Sequence, residues 1–593
     1  SAAMIFSLLV AFVVSPWLTF KLFRRWAEAH VGSERGPDAE TPEEGKLHAF
    51  YQKLFTPLLA SAWRRWALLA GVVLLLVGSM VLVAVKVVTV KMLPYDNKSE
   101  LQVVIDMPEG STLEATAAVA RELASVLQRV PEITDMQVYV GTSAPFNFNG
   151  LVRHYFLRSG PLVADIQVNL LPKHHRSRAS HDIAKEVREV LRPVVAQTPA
   201  NVKVTEVPPG PPVLSTLVAE IYGPELEHRV NLASQVKRIF EQTPGVVDVD
   251  WYVEDPGPKV ELVVDREKAM RAGITPEMVA RALRLALQGA EVTLLHDEHA
   301  RAPVPLLFRL ERGPRSSLAG LMDVRLHGSH GQLVPLGELV TVVPQVRERF
   351  IYHKNLRPVT YVVAEMAGAL EAPVYGILAM QRQIQALKGP DGQPIEVLST
   401  RLPQDHTRYS LKWDGEWHIT YEVFRDMGVA FAVVLVLIYL LVVGWFRSFV
   451  TPLIIMAPIP LTLVGILPAH GVFGVFFTAT SMIGFIALAG IIVRNSILLV
   501  DFINLELAAG ETLENAVIKA GAVRFRPIAL TAAALVVGGA VILLDPIFQG
   551  LAVALISGVV VSTLLTLLVI PLLYFMYLKT VGVERIIAAH EEA

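Results

Sequence analysis

The chain contains no cysteine, which excludes disulfides and thiolate metal sites and leaves its redox compartment open. Neither sign of charge dominates. Its 53 basic and 55 acidic residues leave a net charge of -2, so no global field marks it for nucleic acid or another polyanion. Charge is also unevenly spread, and from Ser448 to Val493 there is no Asp, Glu, Lys or Arg at all. No G-x-x-x-x-G-K-[ST] stretch is available to cradle nucleotide phosphates, and no glycine-framed serine nucleophile stands out. The pattern is not that of an enzyme, and any work the protein does is expected to draw on an ion gradient rather than ATP.

What is abundant is hydrophobicity. At 53% hydrophobic and 18% charged over 593 residues, the chain is too apolar for a soluble protein and too charged for a wholly embedded one. Membrane helices joined to a large water-exposed region resolve the conflict. The opening "SAAMIFSLLVAFVVSPWLTF" has no initiator Met and no charged n-region, unlike a signal peptide. It is expected to begin inside a membrane helix of something longer.

A helix that crosses hydrocarbon needs about 20 apolar residues. Seven stretches qualify: 1–20, 66–90, 422–446, 448–469, 478–502, 525–545 and 549–578. The connector 21–65 is basic, with Lys21, Arg24, Arg25, Arg35, Lys46, Lys53, Arg64 and Arg65. Arg447, Lys519, Arg524, Arg526, Lys579 and Arg585 lie on the same side, whereas the opposite short loops offer only His470 and Asp545. Basic loops face the cytoplasm, so the long segment after 90 is expected outside.

That segment alternates strand and helix patterns. "SELQVVIDMP" has period two, and "TLEATAAVARELASVLQRV" has helical spacing with Ser111 as the expected N-cap. A second unit follows the linker "VPPGPP" at 207–212. "QRVPEITDMQVYV" in the first unit matches "EQTPGVVDVDWYV" in the second, aligning Pro131 with Pro244, Asp135 with Asp248 and Tyr139 with Tyr252. Two ferredoxin-like split βαβ modules are expected, at 91–207 and at 213–287 with 350–400. An inserted subdomain at 288–349 interrupts the second. The fold class is therefore an α-helical membrane domain plus an α+β domain.

Several stretches resemble the C-terminal half of a resistance–nodulation–division permease of the hydrophobic/amphiphilic (multidrug) efflux type. They are "MLPYDNKSELQVVIDMPEGSTLEAT" (92–116), "WFRSFVTPLIIMAPIPLTLVG" (445–465), "GFIALAGIIVRNSILLVDF" (484–502) and "GAVRFRPIALTAAALVVGGAVILL" (521–544). The resemblance implies seven spans from a twelve-span fold, beginning in the sixth helix, with the N-terminal half of the permease absent from this chain. It implies a homotrimeric proton antiporter in the cell inner membrane, joined by a periplasmic adaptor (membrane fusion) protein to an outer-membrane channel. The insertion at 288–349 would be the docking subdomain, and the lipid bilayer would be the other partner.

Arg494 lies near the middle of its span, where an ionisable residue is expensive and by default suggests function. The family pattern has lysine there, followed by asparagine and paired with two aspartates of the fourth helix, which would lie in the missing half. Asn495 fits, and Thr531 in "RPIALT" corresponds to a relay threonine. Arginine stays charged, so in a proton relay of Arg494, Asn495 and Thr531 it would act as a fixed counter-charge. The alternative is an arginine that locks helix packing through backbone carbonyls. For substrate, "APFNFNGLVRHYF" places Phe146, Phe148, Tyr155 and Phe156 in a loop, suited either to an amphiphile pocket or to ordinary packing. "KHHRSRASH" and "HDEH" lack a spacing that fixes metal geometry. The outer methionines (Met107, Met136, Met270, Met278, Met322, Met366 and Met380) are dispersed, which disfavours soft-metal cargo. Heavy-metal efflux and a non-transporting half-permease or assembly component remain the alternatives.

Overall fold

In the computed structural model, residues 2–30, 42–207, 210, 212–368, 370–405 and 407–582 are described; the rest of the linker 207–212, Arg35 and Arg585 lie outside them. The chain forms two compact units, Ser1–Pro94 with Phe424–Ala593, and Tyr95–Val423.

In the first unit, helices long and apolar enough to cross a membrane begin with Ala62–Ala84 and Glu416–Phe446. Thr451–Phe473, Ala479–Ala508, Leu513–Ala540 and Gln549–Val581 follow, making 6 among the described residues. The expected span 1–20 is helical from Ala2 to His30 but interrupted by a π turn at Val10–Val14. The helix ends depart from the hydropathy reading at most spans, and three departures have a clear local cause. Thr451–Phe473 is broken into three short helices around Pro458 and Pro460, which cannot donate a backbone hydrogen bond. Leu513–Ala540 runs straight through Pro527 and starts at the Thr512 cap, well before the apolar run. Glu416–Phe446 likewise begins six residues before the expected 422, at Glu416, because hydropathy marks a hydrocarbon crossing and not a helix end.

Helices Ala479–Ala508 and Gln549–Val581 pack along their length. A Cβ on Gly484 would stand 3.0 Å from that of Ala554, and one on Gly558 would overlap Leu488. Near the other end the Tyr574 hydroxyl donates to Asn504 at 2.6 Å. Small residues let the backbones approach, as membrane helices without a hydrophobic driving force require. The amphipathic helix Pro42–Ala60 turns Tyr51 and Phe55 into the same core, and Tyr51 lies over Gly521, where any Cβ would meet its ring.

In the second unit, strands β1 (Glu100–Asp106), β2 (Ile133–Thr142), β3 (Ser159–Leu170) and β4 (Asn201–Thr205) form an antiparallel sheet in the order β2-β3-β1-β4. Helices Leu113–Leu127 and Ser180–Val195 cover it, burying Leu123, Leu127, Ile183 and Val187 against Val103 and Ile166. The first of these helices is capped by Thr112, whose hydroxyl accepts from Ala115 N at 3.2 Å, one residue beyond the expected Ser111.

The next sheet repeats this plan. Strand β5 (Leu217–Tyr222) pairs with Arg357–Met366 and with Ser410–Gly415, and β6 (Val246–Trp251) pairs with the outer edge of Arg357–Met366. Strand Pro258–Val264 and helix Pro276–Leu287, read from sequence as part of this module, belong instead to the insertion. The strand pairs with Val340–Val346, and Val279 of the helix joins a separate small core with Ile274, Leu326 and Leu336. Period-two alternation identifies a strand but not its partner, so the insertion begins about one strand and one helix earlier than expected.

Candidate functional site

Helix Ala479–Ala508 presents one open stripe at helical spacing: Ile483, Ala487, Gly490, Arg494, Leu498 and Leu505 are all exposed. Arg494 stands on this stripe with no ion pair or hydrogen bond among the described residues. Asn495, about 100° further round the helix, is buried, as is Ser496. Thr531 is half-buried, and its hydroxyl donates to the Pro527 carbonyl at 3.0 Å. The three relay candidates are therefore not joined by hydrogen bonds among the described residues. The feature they share is that Arg494 carries a permanent charge on an uncovered face of a membrane-length helix.

The aromatic loop divides. Phe146, Phe148 and Phe156 are exposed, with the Phe146 and Phe156 rings 5.7 Å apart; Leu151 and Leu157 extend the patch. Tyr155 turns away from them and stacks against the Arg158 guanidinium at 5.6 Å. Asn147 fixes the loop by accepting from Gly150 N at 2.6 Å, which starts the short helix Phe148–Arg153.

That helix leads into a feature the sequence did not reveal, an ionic seam between the two sheet modules. Arg153 is buried and paired with Glu365, which also accepts from the Ser215 and Thr216 hydroxyls. Burial would raise the Glu365 carboxyl, but the Arg153 charge and these hydrogen bonds outweigh it and hold its pKa below the ordinary value. Lys203 on β4 reaches Asp250 on β6 and, at 2.8 Å, Asp106 on β1. Despite burial, Lys203 and Arg158 together pull Asp106 down to about 2. Arg188 reaches Asp248 at 3.1 Å.

At one end of the seam His181 stacks on Tyr95, with ring centroids 4.3 Å apart. Its Nδ1 lies 2.7 Å from Glu206 and its Nε2 2.9 Å from Glu371, which Lys185 also contacts. A neutral imidazole has one donor, so two carboxylate partners select the imidazolium. Burial opposes that charge, but the two glutamates outweigh burial and raise the His181 pKa above 6.5. His181 is the last residue of "KHHRSRASH", where a run of basic residues masks the one that turns inward. Among the described residues, no group of three or more His, Asp or Glu side chains is placed to hold a metal ion.

Membrane-length helices combined with a large α/β unit of two like-ordered sheets define a polytopic membrane protein with a substantial domain beyond its helices. The model of the AcrB/AcrD/AcrF family matches residues 1–578, and the chain belongs to that family of resistance–nodulation–division permeases. It is 23% identical over 581 residues to the swarming motility protein SwrC of Bacillus subtilis (strain 168), covering 96% of this chain and 50% of that protein. Two crystal structures of a heavy metal efflux pump superpose with a TM-score of 0.71 at 21% identity, covering 90% of this chain. They are matched over 51% and 52% of their own length, so the chain spans about half of these relatives.

Proposed function

We propose that this chain is the C-terminal half of an inner-membrane efflux permease that exchanges protons for amphiphilic small molecules. The observation that carries the reading is Arg494, a charge that cannot be discharged, on the open stripe of a membrane-length helix. A fixed cation there suits one side of an ion-pair site whose acidic side is contributed by the rest of the permease. The acids would then carry the proton, their pKa values set by Arg494. The two sheets, each ordered like a split βαβ unit, would be ferredoxin-like pore modules, and the exposed Phe146, Phe148 and Phe156 would meet the substrate. A homotrimer with a periplasmic adaptor and an outer-membrane channel is the assembly this family suggests.

The test is gradient-dependent export by the whole permease carrying Arg494→Ala or Arg494→Lys. The alanine variant is expected to lose export. The lysine variant is expected to keep export but shift its pH dependence, because lysine can give up its proton in a dry site. Full export by both variants refutes the role of Arg494.

A second reading, heavy-metal efflux, is favoured by the two similar crystal structures. Methionine placement weighs against it. Met366 and Met380 are buried in one hydrophobic core, Met107 lies in another, and Met270 and Met278 are exposed on the insertion. Soft-metal transport would want thioethers gathered on a cleft.

A further inference from the structure

Phe575, fully buried near the end of helix Gln549–Val581, has two cations on its ring. The Arg65 guanidinium lies 5.4 Å from the ring centroid and the Lys579 ammonium 5.6 Å. Arg65 itself is only 9% exposed. Its Nη1 donates to the Leu59 carbonyl at 3.0 Å, whereas its enclosed Nε has no partner. Neither cation has a carboxylate within ion-pair distance among the described residues.

One ring cannot neutralise two full charges. A cation–π contact is worth about 0.5–2 kcal/mol and removes no charge. The carbonyl ends of helices Pro42–Ala60 and Gln549–Val581 supply roughly half a negative charge each, leaving an excess of positive charge. Were helix Ala62–Ala84 to cross a bilayer, this end of it would meet the headgroups. Trp63 and Trp66, on the first turn of helix Ala62–Ala84, are 77% and 61% exposed, as side chains at a membrane–water boundary are.

We propose that Arg65 and Lys579 form a binding site for the phosphate of an anionic phospholipid headgroup. The phosphate lies against the two cations, and its acyl chains run along the flank of Ala62–Ala84 beside the buried Arg65 stripe, where Val73, Val77 and Met80 are exposed. Phe575 holds the cations in place and excludes water from the inner side of the site, strengthening their pull on the phosphate. The inference rests on these helices being embedded in a bilayer and is independent of proton coupling or cargo.

The test uses the whole permease reconstituted with spin-labelled phosphatidylglycerol or phosphatidylcholine, read as the ratio of immobilised anionic to zwitterionic lipid. The native protein is expected to favour the anionic lipid several-fold, and R65Q/K579Q to bring the ratio to one. Arg64 is a neighbouring cation off the site, so R64Q should leave the preference intact, and R65K should largely retain it. K579Q alone changes an exposed side chain and is expected to fold; it should lower the preference. An unchanged ratio in K579Q, or an equal loss in R64Q, overturns the assignment. Inorganic phosphate should compete poorly, because it lacks the acyl chains; if it abolishes the preference and remains bound, the site takes free phosphate and the lipid assignment fails.

Discussion

Replacing Glu365 by alanine should loosen the two sheet modules from each other. The carboxylate lies in a buried site, where it accepts from Arg153, from the Ser215 hydroxyl at 2.7 Å and from Thr216. Its loss strands the Arg153 guanidinium, 5% exposed and with its Nε already lacking a partner. Breaking a buried pair from one side costs about 3–5 kcal/mol, most of it the penalty of the abandoned charge. Ser215 can turn to the Ala364 carbonyl at 2.8 Å, so it adds little, and Thr216 adds about 1 kcal/mol. Such a loss raises the population of the opened seam by roughly two to four orders of magnitude. Hydrogen exchange of the peptides spanning 148–158 and 361–366, followed in the whole protein, reads that population directly. The double variant Arg153→Met/Glu365→Leu removes both charges and should recover most of the protection, since an apolar pair can replace a buried ion pair at little net cost. If Glu365→Ala alters protection by less than about 0.5 kcal/mol, or the double variant is no better than the single one, the seam does not hold the modules together.

Two further outcomes follow from the same geometry. His181 has a raised pKa in the folded state, so its bridge between Glu206 and Glu371 contributes fully below about 6.5 and is lost as pH rises through the higher folded value. The protection factors around 180–188, which are the base-catalysed intrinsic rate at each pH divided by the observed exchange rate, should therefore fall as the medium becomes alkaline, and His181→Gln should remove that fall; protection factors independent of pH in the native protein contradict the bridge. Gly465 leaves no room for a side chain, since a Cβ would stand 2.6 Å from the Ser557 carbonyl and 2.8 Å from Val561 Cβ. Gly465→Val should lower stability in detergent by about 1–3 kcal/mol, checked as a fall in unfolding temperature, and an unchanged temperature shows that the helices separate freely.

Six of the seven expected spans coincide with membrane-length helices among the described residues, because hydrocarbon demands uninterrupted apolar length. The like strand order of the two sheets has a trace in the sequence, where the stretch around Pro131 and Asp135 reappears around Pro244 and Asp248. Sequence periodicity could not assign Pro258–Val264 to its partner, Val340–Val346, because a strand shows the same alternation in either sheet. The seam was hidden for a different reason. Arg153, Lys203, His181 and Glu365 are ordinary surface residue types, and only tertiary structure shows that their neighbours are each other. Arg494 was conspicuous for the opposite reason, a charge where the pattern allows none. Thr531 was named by resemblance alone, and its hydroxyl is bound within its own helix.

The insertion leaves and rejoins its host on one edge of one strand: Trp251 pairs with Val362, and Tyr352 with Val359. For the unfolded chain, bringing β6 to that strand means closing a loop of roughly a hundred residues, and such distant contacts form slowly. Once Pro258–Val264 has zipped to Val340–Val346, only the short connectors 252–257 and 347–351 separate the two partners. The insertion's own pairing thus shortens the loop that the second module must close from roughly a hundred residues to two short connectors, lowering the entropy cost of joining β6 to its partner strand.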